Sequence, residues 1–188
     1  ISAILVVIVA FLAGMEGILD QFQFHQPIVA CTLIGLVTGN LTAGVILGGT
    51  LQLVALGWAN IGAAVAPDAA LASVAAAIIL VKGGDFSSEA ISVAQALAIP
   101  LAVAGLFLTM LVRTASVALV HGADAAAEKG DFAALERYHL VALSLQGLRI
   151  AVPAAMLIAV PASAVQDVLG LMPDWLNGGM AVGVGMVV

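Results

Sequence analysis

Long apolar segments dominate this sequence and decide the solvent in which it can fold. They lie at Ile1–Ala13, Pro27–Trp58, Leu71–Val81, Ala90–Val120, Leu140–Ala164 and Met180–Val188. Of the 188 residues, 63% are hydrophobic and only 9% are charged, and the mean hydropathy of +1.22 is far above that of soluble domains. Since a helical bilayer crossing takes roughly 20 apolar residues, the sequence predicts an all-α, multi-pass integral membrane protein.

The charge balance and the reactive residues exclude several classes of function. The net charge is −6, with eleven acidic and five basic residues, so there is no basic surface for nucleic acid. Cys31 is the single cysteine and is interpreted as a small buried filler. The three histidines are far apart in sequence, and neither a P-loop nor a nucleophile motif is present. We therefore expect no metal, no cofactor and no catalysis by this chain alone. The histidines are His25, His121 and His139.

Two polar segments, Lys82–Glu89 and His121–His139, interrupt the apolar pattern and are interpreted as water-facing loops. The positive-inside rule places the second one in the cytoplasm, because basic residues concentrate in or beside it, at Arg113, Lys129, Arg137 and Arg149. For the two arginines that border or interrupt apolar segments, snorkelling to the interface is the default interpretation and a buried pairing is the alternative. The first apolar segment has no basic residue before it and is followed by further apolar segments. It is therefore interpreted as a structural helix rather than a cleaved signal peptide.

The region from Pro27 to Val81 does not have the pattern of complete crossings, because glycines and Pro67 repeatedly cut it. Runs of about twelve residues would cover about 18 Å as helix, less than a hydrocarbon core of about 30 Å. Re-entrant or broken helices fit better. Non-helical backbone at membrane depth must be surrounded by protein or line a water-filled cavity. We therefore expect the transport site here. Glycines four apart indicate close helix packing, within one subunit or against a partner, at Gly35 and Gly39, Gly44 and Gly48, and Gly179 and Gly183.

Polar side chains in two otherwise apolar stretches are candidates for substrate binding, because carboxylates and amides are costly in lipid unless satisfied. Together they supply the donors and acceptors that sugar hydroxyls need. A solvated hairpin is the alternative for residues 18–27, and a helix N-cap is the alternative, compatible role for Asp68. Trp58 could stack on a sugar or anchor at the interface. The predicted substrate-binding residues are Asp20, Gln23, Gln52, Asn60 and Asp68.

Three strings carry a family resemblance: ILDQFQFHQPIVACTLIGLVTGN at 18–40, GGTLQLVALGWANIGAAVAPDAALAS at 48–73, and ALAIPLAV at 96–103. Together they resemble the IIC subunit of mannose-family permeases of the bacterial phosphotransferase system. The resemblance extends from about residue 3 to the last residue, as one membrane-embedded permease domain over 1–188. Members of the family are usually longer, which implies that C-terminal helices are missing here.

The resemblance implies a mobile core and a scaffold of broken helices in the bacterial plasma membrane, with an elevator-like movement of substrate. It implies a IID membrane partner, a trimer of IIC–IID pairs, and a cytoplasmic IIAB protein that phosphorylates the hexose, of mannose or glucose type, at the inner face. A secondary role as a bacteriocin receptor is implied too. The alternative function is a passive channel or a structural membrane subunit. The low charge and the many glycines are equally compatible with it.

Overall fold

The chain forms a bundle of α-helices, and no β-strand occurs in the part described here. The computed structural model describes residues 2–58 and 65–171, together with residues 173, 175, 178, 179 and 182. The helices of this part are α1 Ser2–Leu19, α2 Pro27–Thr38, α3 Leu41–Ala55, α4 Ala69–Gly83, α5 Ser88–Glu128, α6 Phe132–Ala159 and α7 Ala162–Gly170.

Three of these helices are long and apolar enough to cross a membrane, namely α1, α5 and α6. The 41 residues of α5 correspond to roughly 60 Å of helix, about twice the thickness of a hydrocarbon core. Its polar end therefore extends beyond the membrane. The predicted loop at His121–His139 needs correction, because it is helical except at Lys129–Asp131. Polarity predicted exposure to water and a loop there, but the alanines and glutamates of the segment are good helix formers.

The other apolar helices α2, α3 and α4 have 12, 15 and 15 residues, which confirms the predicted broken helices. A tight connection joins α2 to α3, with Gly39 in the left-handed conformation at φ 81°. The two helices then approach closely, because a Cβ atom on Gly35 would lie 3.0 Å from the Cα atom of Gly44. This contact shows that glycines of α2 and α3 serve packing within the subunit.

Helix α4 is the centre of the molecule, since every residue from Ala70 to Leu80 is buried. It contacts each of the other helices α1, α2, α3, α5, α6 and α7. A helix that is apolar on all sides requires such surroundings. Cys31 of α2 is completely buried against it, with Sγ 3.4 Å from the carbonyl oxygen of Ser73, as the filler interpretation predicted. The N-terminus of α4 consequently lies inside the protein.

Candidate functional site

A polar cavity of about 430 Å³ lies at the N-terminus of α4. Its volume is within the range of about 300–1,000 Å³ that small-molecule sites occupy. Helices α1, α3, α4, α5 and α6 and the segments before α2 and α4 contribute to its wall. The polar and aromatic side chains of the wall are His25, Gln26, Gln52, Trp58, Asp68, Thr109, Arg113, Gln146 and Arg149.

A buried ion pair joins Asp68 to Arg149 on one wall of the cavity. The Asp68 carboxylate caps α4, because Oδ1 accepts a hydrogen bond of 3.0 Å from the backbone N–H of Leu71. Its Oδ2 pairs with Nη1 of Arg149, and the two side chains are only 8% and 7% exposed. Arg149 also donates to Thr109 Oγ1 at 2.9 Å and to Gln146 Oε1 at 3.3 Å. Snorkelling is therefore wrong for Arg149, and the alternative of a buried pairing is correct.

The ion pair belongs to a junction between three helices. The backbone N–H of Asp68 donates to the carbonyl oxygen of Ala102 in α5, at 3.0 Å. Gly105 makes this approach possible, since a Cβ atom there would lie 2.8 Å from the Cβ atom of Asp68. Arg149 extends the junction to α6. The start of the broken helix is thus attached to α5 and α6 by both backbone and side chain.

A chain of hydrogen bonds also runs along the cavity wall, from α3 to the segment before α2. Gln52 Oε1 accepts from the backbone N–H of Ile28 at 3.3 Å, and Gln52 Nε2 donates to Gln26 Oε1 at 2.8 Å. Gln26 Nε2 lies 3.1 Å from His25 Nε2. The first N–H groups of a helix have no acceptor within the helix. The amide oxygen of Gln52, on α3, is such an acceptor for the N–H of Ile28 at the start of α2.

A turn next to the cavity is built around the buried carboxylate of Glu16. Its Oε2 accepts hydrogen bonds from three successive backbone N–H groups, at 3.1, 2.6 and 3.1 Å, those of Gln21, Phe22 and Gln23. Asp20 and Gln23 have positive φ angles of 51° and 59°, and each costs some strain in a non-glycine residue. Glu16 therefore stabilises an irregular backbone. The sequence signal was a lone carboxylate in an apolar helix, which our sequence reasoning missed.

The predicted site residues divide into three groups. Gln52 and Asp68 line the cavity. Asp20 and Gln23 lie on the adjoining turn, where Gln23 Nε2 donates to Asp20 Oδ1 at 2.7 Å, and they are not among the lining residues. Asn60 lies outside the described residues. Trp58 lines the cavity as well.

The structure adds lining residues that the sequence prediction did not include. Gln26 was within the first polar stretch, and Arg149 was noted for its charge in an apolar segment. Nothing in the sequence singled out Thr109 or Gln146, because one polar residue in a long helix has no preferred partner until the helices pack. The added residues are His25, Gln26, Thr109, Arg113, Gln146 and Arg149.

Sequence comparisons find relatives along the whole chain. A family model described as "PTS system sorbose-specific iic component" matches residues 1–188. The mannose-specific EIIC component of Escherichia coli strain K12 is 48% identical over 189 residues, covering 100% of this chain and 70% of that protein. The fructose permease IIC component of Bacillus subtilis strain 168 is 44% identical, covering 100% of this chain and 68% of its own length.

Solved structures agree with this relationship. One, described as a membrane protein, has a TM-score of 0.91 at 49% identity and covers 99% of this chain and 74% of its own. Another, a cryoEM structure of the mannose transporter ManYZ with microcin E492, has a TM-score of 0.79 at 49% identity, with coverage of 99% and 74%. The chain therefore belongs to the IIC family of mannose-type sugar phosphotransferase permeases, as a multi-pass transport subunit of the plasma membrane.

Proposed function

We propose that this subunit binds a hexose of mannose or glucose type in the cavity at the N-terminus of α4 and carries it for phosphorylation-coupled uptake. The supporting observation is the cavity itself, about 430 Å³ in volume and lined by amide, hydroxyl and charged side chains, at the start of a buried broken helix. Such helix ends are a recurrent way for transporters to hold polar substrates near the middle of the bilayer.

Gln52 and Asp68 act on the sugar from the cavity wall, and Gln26 adds a further amide. Asp20 and Gln23 contribute by shaping the adjoining turn. Asn60 lies outside the described residues and is proposed as a sugar-binding residue from the sequence alone. A neutral sugar has many hydroxyl groups and no charge, so recognition depends on several hydrogen bonds of roughly 0.5–1.5 kcal/mol net each. Trp58 offers an apolar face of the kind on which a sugar ring stacks.

In this proposal the subunit has two protein partners. It forms a trimer of pairs with a IID membrane protein, and a cytoplasmic IIAB protein performs the phosphoryl transfer. A bacteriocin receptor role is the secondary function, supported by the solved complex of a relative with microcin E492. Exposed apolar side chains cover the long helices and suit lipid or a membrane partner, among them Ile4 on α1, Phe107 and Leu111 on α5, and Met156 on α6.

The test is binding of a panel of labelled hexoses to the purified complex of the full-length subunit and its membrane partner. Gln52→Ala should weaken binding by about two- to tenfold, as expected for one or two lost hydrogen bonds. Gln166→Ala is the control, because this glutamine bonds the carbonyl oxygens of Lys82 and Gly83 at the other end of α4. Equal binding in both variants would place the sugar elsewhere.

Uptake distinguishes the permease from the passive channel. A permease of this type accumulates sugar only as its phosphate, and only with the IIAB protein and phosphoenolpyruvate present. Conduction of free sugar without them would support the channel and refute the proposal.

A further inference from the structure

The hydrogen-bond chain on the cavity wall has a fixed direction, because one end of it is a backbone N–H group that can only donate. Ile28 N–H donates to Gln52, so the atom 3.3 Å away is the amide oxygen of Gln52. The amide nitrogen of Gln52 then donates to the amide oxygen of Gln26 at 2.8 Å. What remains for Gln26 is its amide nitrogen, a donor, which lies 3.1 Å from Nε2 of His25.

It follows that Nε2 of His25 accepts a hydrogen bond in this structure, and the imidazole is neutral with its proton on Nδ1. That Nδ1 atom is buried and has no hydrogen-bond partner among the described residues. The carboxylate of Asp20 lies 3.7 Å from Nε2, beyond normal hydrogen-bond length. Within the described structure, the bond from Gln26 is therefore the hydrogen bond that holds the neutral ring.

Protonation of His25 is incompatible with this arrangement. It would place a proton on Nε2, opposite the amide nitrogen of Gln26, so that two donors would face each other. The chain cannot reverse to relieve the conflict, because the N–H of Ile28 holds Gln52 in its orientation. The acceptor available to the charged ring is Asp20, on the exposed side of the turn. Gln26 would then lose the acceptor of its amide nitrogen, while Gln52 stays bonded to Ile28.

Several charged groups lie around the ring. The carboxylate of Asp20 is on the exposed side of the turn, 3.7 Å from Nε2. The carboxylate of Glu16 lies behind the turn and is already bonded to three backbone N–H groups. Asp68 is paired with Arg149, and Arg113 lines the same cavity. Histidine is the side chain whose charge changes between about pH 5 and 8.

We infer that His25 is a positioning residue whose neutral form holds the amide of Gln26 in place on the cavity wall, so that sugar binding weakens when His25 is protonated. This inference rests on the proposed function of the cavity. Gln26, one polar partner of the sugar, loses its set orientation on protonation, and the affinity should fall by about two- to tenfold.

The experiment measures the binding of labelled mannose to the complex of the full-length subunit and its membrane partner, from about pH 5 to 8. Affinity in the wild type should fall toward acid pH. His25→Gln should flatten the profile, since an amide oxygen can accept from Gln26 and does not titrate in this range. His121→Gln is the matched control at an exposed position of α5 and should retain the profile.

Mannose binding with the same pH dependence in the wild type and in His25→Gln would overturn the inference alone. Absence of hexose binding at every pH in the wild type would overturn the proposed function and the inference with it.

Discussion

Removal of Arg149 should destabilise the protein strongly, and removal of the Asp68 charge in the same molecule should restore much of the loss. The perturbation is Arg149→Met, which keeps an unbranched side chain of similar length but leaves the Asp68 carboxylate unpaired. The carboxylate is only 8% exposed, so water can compensate only a small part of the lost charge pairing. Breaking a buried pair by removing one member costs about 3–5 kcal/mol.

The structure also indicates how the loss can be reversed. In Asp68→Asn/Arg149→Met neither member of the pair leaves a buried charge at this junction. The asparagine oxygen can still accept from the N–H of Leu71, because asparagine caps helices about as well as aspartate. Replacing a buried pair by uncharged residues is often neutral or even stabilising. The hydrogen bonds of Arg149 to Thr109 and Gln146 are lost in both variants, so they do not affect the comparison.

The assay is the apparent melting temperature of the purified complex, followed by the fraction that stays monodisperse in mild detergent. Arg149→Met should melt lowest, the double variant should recover most of the difference, and Arg113→Met should stay close to the wild type, since Arg113 is exposed at the same cavity. A double variant as unstable as Arg149→Met would show that the charge on Asp68 is not the cause, and the reasoning would be refuted.

Further outcomes are expected from three other regions. A cysteine at the exposed position Ala127 should react with an impermeant maleimide in inside-out vesicles only, and labelling in intact cells would reverse the predicted orientation. Gly44→Ala should destabilise the complex by about 1–3 kcal/mol, since the added Cβ atom would lie 3.0 Å from a backbone Cα atom of α2. Gly49→Ala is the control, because its Cβ atom would meet only a side chain, at 3.7 Å. Equal melting temperatures of the two variants would contradict this prediction. Hydrogen bonds from Ser87 lower the pKa of Asp85, so its carboxylate form stabilises the fold above the usual aspartate pKa range, and this stabilisation is lost as pH falls through the lowered pKa. Asp85→Asn should therefore have a lower melting temperature than the wild type at neutral pH and the same melting temperature in acid. A difference that persists in acid would refute the assignment.

The sequence alone determined the class of fold, because the length of an apolar segment and its interruption by glycine are local properties. The apolar segments Ile1–Ala13, Ala90–Val120 and Leu140–Ala164 lie largely within the long helices α1, α5 and α6, and the interrupted region became the short helices α2, α3 and α4. The capping role of Asp68 was local too, since it depends only on the four residues that start a helix. Polarity at His121–His139 predicted exposure to water but did not determine the backbone conformation there.

Only the tertiary structure decided which polar groups meet. Asp68 and Arg149 lie on different helices and become partners because α4 and α6 pack side by side. Likewise, Gln52 orients Gln26 because the α2–α3 hairpin brings the ends of the two helices together. Helical periodicity states which face of a helix a residue occupies, but the distance between faces of separate helices depends on how they pack. The cavity, its ion pair and its hydrogen-bond chain are properties of that packing.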